Sequence, residues 1–198
     1  MIKANNLSKS FNGNRIFSGI DLIVKKSTIL GVVGNNGSGK TTLLKIVAGI
    51  INSDTGNINL IANIKLDFLG HENMLYQNFS ISENIDFFSD ISGFRISAES
   101  QDNIEQALGL NNILGKKISE LSYGQRKKAS MLRSLTSAPD LLVLDEPFSN
   151  LDSESTDSFI SILKTLKKEN KSVIISSNRK DVVGSVSDDL LNMDDYNE

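Results

Sequence analysis

Apolar runs and amphipathic stretches alternate in the order expected of a layered α/β protein. The run ILGVV (29–33) is short, continuous and apolar, as is typical of a buried parallel strand, and residues 40–49 then carry apolar side chains at helix spacing. The runs LLVL (141–144) and VII (173–175) predict two more strands, separated by a helix over about 153–169. This strand–helix–strand alternation favours a mostly parallel sheet.

Patterns elsewhere along the chain are shorter and more mixed. FNGNR (11–15) predicts a tight turn, and IDLIV (20–24) predicts a strand. Residues 52–63 are rich in turn formers with alternating isoleucines, which predicts a hairpin or a short strand. Residues 81–115 are mixed and mostly helical in pattern, and 122–136 form a clear amphipathic helix.

Composition narrows the function classes. The chain has 198 residues, 39 % of them hydrophobic, which is enough for one sizeable core. Its formal net charge of −3 gives no reason to expect a nucleic-acid partner. It has no cysteine, so disulfides and thiolate metal sites are excluded. No apolar run approaches the roughly 20 residues that span a bilayer, so we expect a soluble chain that forms no membrane path itself.

The stretch GNNGSGKT (34–41) matches the phosphate-binding pattern G-x-x-x-x-G-K-[ST], between a predicted strand and a predicted helix. The glycines let backbone N–H groups turn towards phosphates, and the following helix points its positive end at them. Lys40 supplies a positive charge for the β- and γ-phosphates, and the Thr41 hydroxyl is a Mg²⁺ ligand. The predicted nucleotide-binding residues of this loop are Gly34, Asn35, Asn36, Gly37, Ser38, Gly39, Lys40, Thr41 and Thr42.

Two further motifs lie later in the chain than the phosphate-binding pattern. In LSYGQ (121–125), Ser122 and Gln125 have the spacing of a capping box, which by itself predicts only a well-capped helix. LLVLDE places Asp145 and Glu146 at the C-terminal end of a buried strand, where open α/β sheets bind ligands. Two acids can also simply mark the end of a strand, so this pair is not decisive alone.

The phosphate loop, LSYGQ and LDEP in this order and spacing resemble the ATP-binding cassette (ABC) family, over nearly the whole chain. The resemblance implies an α/β fold: a P-loop NTPase core with a mostly parallel sheet, a small N-terminal antiparallel β subdomain and an inserted helical subdomain. It implies one ATPase domain over 1–198, with the helical insertion at about 75–120. In this family two cassettes sandwich two ATP molecules, and the phosphate loop of one faces the signature motif of the other.

The resemblance also assigns roles within the nucleotide site. It implies that Glu146 is the general base that polarises the attacking water, and that Asp145 holds Mg²⁺ together with Thr41. Phe11 lies where the family places an aromatic residue that stacks on adenine, although a phenylalanine in a turn is more often a core residue.

Other implied roles concern the contact between two cassettes. Ser122, Gly124 and Gln125 belong to the signature that faces the γ-phosphate of the partner's ATP. Asp152 matches the acid of the family's D-loop, which crosses the dimer contact.

Three positions depart from the family pattern. Tyr123 replaces the usual glycine of the signature, so either its side chain points away from the nucleotide or the geometry of the sandwich changes. His71, the one histidine of the chain, aligns with a glutamine that contacts Mg²⁺ and water, with Glu72 beside it as a competing candidate. Asn178 takes the place of a histidine that contacts the γ-phosphate, and an asparagine can donate a hydrogen bond there but carries no charge.

From this resemblance we expect an ATP-hydrolysing subunit that works as a homodimer with ATP and Mg²⁺. Its expected partner is an integral membrane transporter subunit, and its expected location is cytoplasmic, peripheral on the inner face of the cell membrane. The short chain also resembles the haem-exporter ATPase of cytochrome c maturation. The alternative, suggested by Asn178, is a slow or non-hydrolysing ATP-dependent regulatory switch.

Overall fold

Two sheets and six α-helices form within residues 2–70 and 74–196, the part of the chain that the computed structural model describes. The strands are β1 Ile2–Phe11, β2 Asn14–Val24, β3 Ile29–Val33, β4 Thr55–Leu60, β5 Leu66–Leu69, β6 Leu141–Asp145, β7 Ser172–Ser177 and β8 Asp189–Asn192. The helices are α1 Lys40–Val47, α2 Ile81–Ser92, α3 Ala98–Ala107, α4 Tyr123–Thr136, α5 Ser153–Lys168 and α6 Lys180–Val186.

The larger sheet is parallel throughout, with the strand order β5-β6-β7-β3-β8. β7 lies between β6 and β3, with Asp145 opposite Ser176 on one side and Val33 opposite Ser177 on the other. The carboxyl ends of these three strands therefore meet at one edge. That edge carries the phosphate loop after β3, Glu146 after β6 and Asn178 after β7.

Both faces of this sheet are covered, which explains why its central strands are apolar without alternation. Along β6, Leu142 and Leu144 face one core cluster, whereas Leu141 and Val143 face the other. All of β3, β6 and β7 is buried, as the short continuous apolar runs predict.

The second sheet is antiparallel, with the order β2-β1-β4. The predicted turn at residues 11–15 joins β1 and β2, with Phe11 paired to Asn14. The segment 52–63, for which a hairpin or a short strand was predicted, forms the single strand β4, and this strand pairs with β1. The sequence patterns did not predict β5, α6 or β8.

The expected fold class is confirmed: a parallel core sheet, a small N-terminal antiparallel sheet, and the helices α2 and α3 inserted between β5 and β6. The bounds of the helical insertion, 75–120, stay a prediction. No helix in the described ranges is both long and apolar enough to cross a membrane.

Candidate functional site

The phosphate loop turns between β3 and α1 through two glycines with left-handed backbone, Gly37 (φ 83°) and Gly39 (φ 89°). Gly39 is the N-cap of α1 and has no side chain to occupy the free N–H groups of the first turn. That first turn contains no acidic residue. The loop is therefore suited to an anion at the positive end of the helix.

Lys40 ties the two ends of the loop together. Its Nζ donates to the carbonyl oxygens of Gly34 (2.9 Å) and Asn35 (3.0 Å), and it lies 3.8 Å from Glu146 Oε1. The side chain is buried, so these contacts replace its hydration. A phosphate that enters the loop can replace the two carbonyl groups as the acceptor of the hydrogen bonds from Lys40.

Asp145 forms the floor of the site at the end of β6 and is 2 % exposed. Its Oδ2 accepts a hydrogen bond from Thr41 Oγ1 at 2.8 Å, and its Oδ1 accepts one from Ser176 Oγ at 2.7 Å. Two hard oxygen ligands, a carboxylate and a hydroxyl, are thus adjacent and orientated. This donor set suits Mg²⁺, which usually takes one or two carboxylates and completes its shell with phosphate and water.

Glu146 follows directly and sits in an unusual backbone conformation, with φ 48°. Its N–H donates to Ser176, and its Oε2 accepts a hydrogen bond from Ser177 Oγ at 3.0 Å. The carboxylate is thereby held beside Lys40, at the mouth of the phosphate loop. Left-handed backbone at a non-glycine residue is sparsely populated, and it persists where the surroundings hold it, often at functional sites.

Sequence reasoning missed Ser176 and Ser177. The signal was present as two adjacent hydroxyl residues at the end of the strand VIISS, next to the strand that carries the acids. Ser177 contacts Glu146, whereas the predicted residue Asn178 is exposed and lies one position further along the chain.

A cavity of about 290 Å³ joins the loop to Glu146. Its lining residues are Ile16, Asn36, Gly37, Gly39, Lys40, Thr41, Thr42 and Glu146. The other predicted loop residues, Gly34, Asn35 and Ser38, build the turn itself, and Ser38 is buried. Ile16 was not predicted; it packs so closely on Gly39 that a Cβ there would lie 2.8 Å from Ile16 Cγ2.

Phe11, the residue predicted to stack on adenine, is 46 % exposed and has the Lys9 ammonium 5.2 Å from its ring centre. It does not line the cavity beside the loop, and its contact with adenine stays a prediction. His71 and Glu72 lie outside the described residues.

The signature motif begins α4 with the predicted capping box. Ser122 Oγ accepts a hydrogen bond from the Gln125 N–H at 3.3 Å, and Gln125 Oε1 accepts one from the Ser122 N–H at 3.0 Å. Tyr123, the first residue of α4, is 38 % exposed. The capping box thus fixes the N-terminus of this helix through hydrogen bonds within the chain.

The segment predicted to be the D-loop lies beside the LSYGQ motif. Asp152 caps α5 by accepting a hydrogen bond from the Ser155 N–H at 2.7 Å, and this bond holds the pKa of Asp152 below its ordinary value. A cavity of about 200 Å³ lies between the two motifs. Its lining residues are Ser122, Gly124, Gln125, Lys128, Asn150, Leu151, Asp152 and Ser155.

The capping box makes a prediction for stability. We expect Ser122→Ala to lower the free energy of unfolding by about 1 kcal/mol, since the Gln125 N–H loses its acceptor, and to lower Tm by roughly 2–4 °C. Thermal unfolding followed by circular dichroism measures this. Ser80→Ala is the matched control, because Ser80 forms the same kind of capping box at α2, away from both cavities. An unchanged Tm for Ser122→Ala would show that the cap does not stabilise α4.

Comparison with known proteins agrees with this geometry. The family model described as "ABC transporter" matches residues 17–149. An uncharacterized ABC transporter ATP-binding protein of Methanocaldococcus jannaschii is 34 % identical over 192 residues, which cover 96 % of this chain and 72 % of that protein. The zinc import ATP-binding protein ZnuC of Wolbachia pipientis is 34 % identical over 185 residues, covering 89 % of this chain and 73 % of ZnuC.

Solved structures show the same fold. The dimeric structure of an ATP-binding cassette in a post-hydrolysis state, bound to ADP and Pi, has a TM-score of 0.84 and 20 % identity, and covers 97 % of this chain and 94 % of that one. The matched family model spans the phosphate loop, the LSYGQ motif and the two acids at the end of β6. The chain belongs to the ABC transporter family, as one of its nucleotide-binding ATPase domains.

Proposed function

We propose that this chain hydrolyses ATP and that it powers transport through a separate membrane subunit. The observation that carries the proposal is the meeting of three charged groups at one sheet edge. Lys40 of the phosphate loop lies 3.8 Å from the Glu146 carboxylate, and Asp145 is hydrogen-bonded to Thr41 at the start of the same helix. Cation, candidate base and candidate metal ligand are the parts that phosphoryl transfer to water requires.

Thr41 and Asp145 would hold Mg²⁺, and the bound ion would supply positive charge to the phosphates. Among residues 2–70 and 74–196 no group of three or more His, Cys, Asp or Glu side chains could hold a metal ion. With two protein oxygens, those of Thr41 and Asp145, the ion would complete its shell with phosphate oxygens and water.

Each polar residue then has one task. Lys40 leaves the carbonyl groups of Gly34 and Asn35 for the β- and γ-phosphates. Glu146, held by Ser177, accepts a hydrogen bond from the attacking water and orients it towards the γ-phosphorus. Negative charge grows on the γ-phosphate oxygens in the transition state, where fixed cations and N–H groups stabilise it.

The same proposal includes a second copy of the chain. The cavity beside the phosphate loop and the cavity beside the signature share no lining residue. One chain therefore offers two half-sites, and the N-terminus of α4 is left facing a separate cavity. We propose that two copies meet head to tail, so that Ser122 and Gly124 of one copy contact the γ-phosphate in the other.

The proposed membrane partner has a candidate surface on α2 and the segment before it. Met74, Tyr76 and Phe79 are exposed there, and Tyr76 packs its ring against Phe87, 4.8 Å between centres. Exposed aromatic clusters are typical of protein contacts. A helix from a membrane subunit would bring the chain to the inner face of the membrane. The relatives' names do not agree on one substrate, so the proposal extends to none.

Phosphate release tests the proposed reaction. We expect steady-state release of phosphate from ATP in the presence of Mg²⁺ and none above background in EDTA. Release that is absent in Mg²⁺ would overturn the hydrolysis proposal. ATP binding without any release of phosphate would instead support the alternative that Asn178 suggests, an ATP-dependent regulatory switch.

Asn178→His is expected to raise the ATPase rate several-fold while it leaves ATP affinity nearly unchanged. A neutral amide makes a weaker hydrogen bond to phosphate than an imidazolium does, by about 1 kcal/mol. An effect on kcat alone indicates an interaction made mainly in the transition state. Steady-state kinetics and calorimetry of the two chains measure the two parameters.

The control for this prediction is His71→Gln, alone and combined with Asn178→His. His71 aligns with another position of the same site, so its imidazole could affect the same rate. If Asn178→His does not raise the rate in either background, Asn178 does not stand where the family has its histidine.

A further inference from the structure

The short 3-10 helix Met193–Tyr196, which follows β8, lies against the phosphate loop. β8 pairs in parallel with β3, and Val33 lies opposite Asn192. Because the two strands run in the same direction, the residues that follow them stay side by side. Asp194 is thereby placed beside Asn35, the second residue of the loop. The sequence motifs did not predict this contact.

Asp194 accepts two hydrogen bonds from Asn35. Its Oδ1 accepts one from the Asn35 backbone N–H at 2.9 Å, and its Oδ2 accepts one from the Asn35 side-chain amide at 3.2 Å. The Lys180 ammonium lies 3.6 Å from the same carboxylate, but Lys180 is 55 % exposed, and exposed ion pairs contribute little. The two bonds to Asn35 are therefore the contacts through which Asp194 acts on the loop.

The peptide group between Gly34 and Asn35 is held at both ends by opposite charges. Its carbonyl oxygen accepts a hydrogen bond from Lys40 Nζ at 2.9 Å, and its N–H donates to Asp194 at 2.9 Å. In a trans peptide these two groups point in opposite directions, so the ammonium and the carboxylate fix one orientation of the peptide between them. Both bonds have a charged partner, which makes them stronger than bonds between neutral groups.

A nucleotide affects these two anchors differently. Lys40 lines the cavity beside the loop, so a phosphate there can draw it away from the Gly34 carbonyl. Asn35 and Asp194 do not line that cavity, so their hydrogen bonds lie on the other side of the loop. The backbone of Gly34, with φ 151°, rotates more freely than that of other residues and does not by itself hold the peptide. Once Lys40 has turned to a phosphate, Asp194 is the anchor of the two that remains.

We propose that Asp194 is a positioning residue for nucleotide binding: it holds the Gly34–Asn35 peptide from outside the cavity, so that the loop keeps its shape when Lys40 exchanges the Gly34 carbonyl for a phosphate. The inference rests on nucleotide binding by the loop, which the proposed function includes, and not on hydrolysis. A carboxylate near the loop also repels phosphate, and this second effect has the opposite sign. Loss of the hydrogen bonds weakens binding, whereas loss of the charge strengthens it.

Asp194→Ala and Asp194→Asn separate the two effects, with Mg-ADP as the ligand so that hydrolysis does not enter the measurement. Alanine removes both acceptors, and we expect binding about five-fold weaker, as for a loop that has its binding-competent shape about a fifth of the time. Asparagine removes the charge but can keep both bonds, since it accepts from the Asn35 N–H and donates to the Asn35 side-chain oxygen once that amide has turned over. We therefore expect its affinity within about two-fold of the parental value. Isothermal titration calorimetry measures the affinities at a temperature at which circular dichroism shows each chain folded.

Asp195→Asn is the matched control. Asp195 is exposed, lies one residue further along the same 3-10 helix and accepts a hydrogen bond from the Asn192 side chain, so its substitution makes the same charge change away from Asn35. We expect parental affinity from it. Tighter binding by both Asp194 variants would show that the carboxylate mainly repels phosphate, and would overturn the positioning role. A lower Tm for Asp194→Ala with parental affinity would also overturn it and leave Asp194 a residue that only stabilises the fold.

The proposed function fails on a different result. A parental chain that binds Mg-ADP but does not hydrolyse Mg-ATP contradicts the proposed reaction, and the comparison of the Asp194 variants still decides the positioning role. Parental affinity in Asp194→Ala contradicts the positioning role whatever the rate of hydrolysis.

Discussion

Glu146→Gln is expected to lower the steady-state ATPase turnover by roughly 100-fold or more, because a positioned general base commonly contributes that much or more to the rate. Glutamine has the same shape, and its amide oxygen can still accept the hydrogen bond that Ser177 donates to Glu146. It cannot accept a proton from water or hold the charge that faces Lys40. ATP affinity should change little, since the nucleotide is held mainly by the phosphate loop. Phosphate release at saturating Mg-ATP measures the loss.

Glu99→Gln provides the matched control for this variant. Glu99 is an exposed acid in the first turn of α3, so the charge change is identical and lies away from both cavities. We expect parental turnover from it. If Glu146→Gln hydrolyses ATP as fast as Glu99→Gln, the base is another residue, and the hydrogen bond from Ser177 serves only the structure of the nucleotide-free chain.

Lys40→Ala should weaken Mg-ATP binding by about 10-fold or more, because a charged contact to phosphate contributes roughly 1.5–3 kcal/mol. In the nucleotide-free chain the same substitution leaves the carbonyl oxygens of Gly34 and Asn35 without their donor, so a lower Tm should accompany it. Isothermal titration calorimetry measures the affinity, and thermal unfolding shows what fraction is folded at the temperature of the titration.

Lys45→Ala removes a half-buried lysine from the last turn of the same helix, at the end that points away from the loop. Its Mg-ATP affinity should stay within about two-fold of the parental value. Equal affinities for Lys40→Ala and Lys45→Ala would contradict the assignment of the phosphate loop.

Elements with a strong local signal were predicted well from the sequence. The ends of β3 and the start of α4 follow from a continuous apolar run and from a capping box, which are local features. β8 was missed, since Asp189–Asn192 is short and lies at the edge of the sheet, with its identity set by pairing to β3. β5 is likewise only four residues long and gains its strand character from β6.

The residues of the site likewise fall into two groups: those that sequence motifs predict and those that only the tertiary structure reveals. Lys40, Thr41 and the two acids at the end of β6 belong to motifs that can be read along the chain. Ser177 becomes part of the site only through a tertiary contact, its hydrogen bond from the adjacent strand to Glu146. Ile16 similarly reaches the phosphate loop only because the two sheets pack together.

The proposed head-to-tail pairing is tested most directly by the mass of the Glu146→Gln chain with saturating Mg-ATP, measured by size-exclusion chromatography with light scattering. If the two half-sites combine across two copies, the measured mass is that of two chains with Mg-ATP. Without nucleotide it is that of one chain. Adding Gly124→Asp should restore the single-chain mass, because its carboxylate would face the partner's γ-phosphate. A Cβ at 124 would lie 3.6 Å from the Asn150 carbonyl oxygen, an ordinary van der Waals distance, so the isolated chain has room for this atom. A single-chain mass for Glu146→Gln with bound ATP would contradict the shared site.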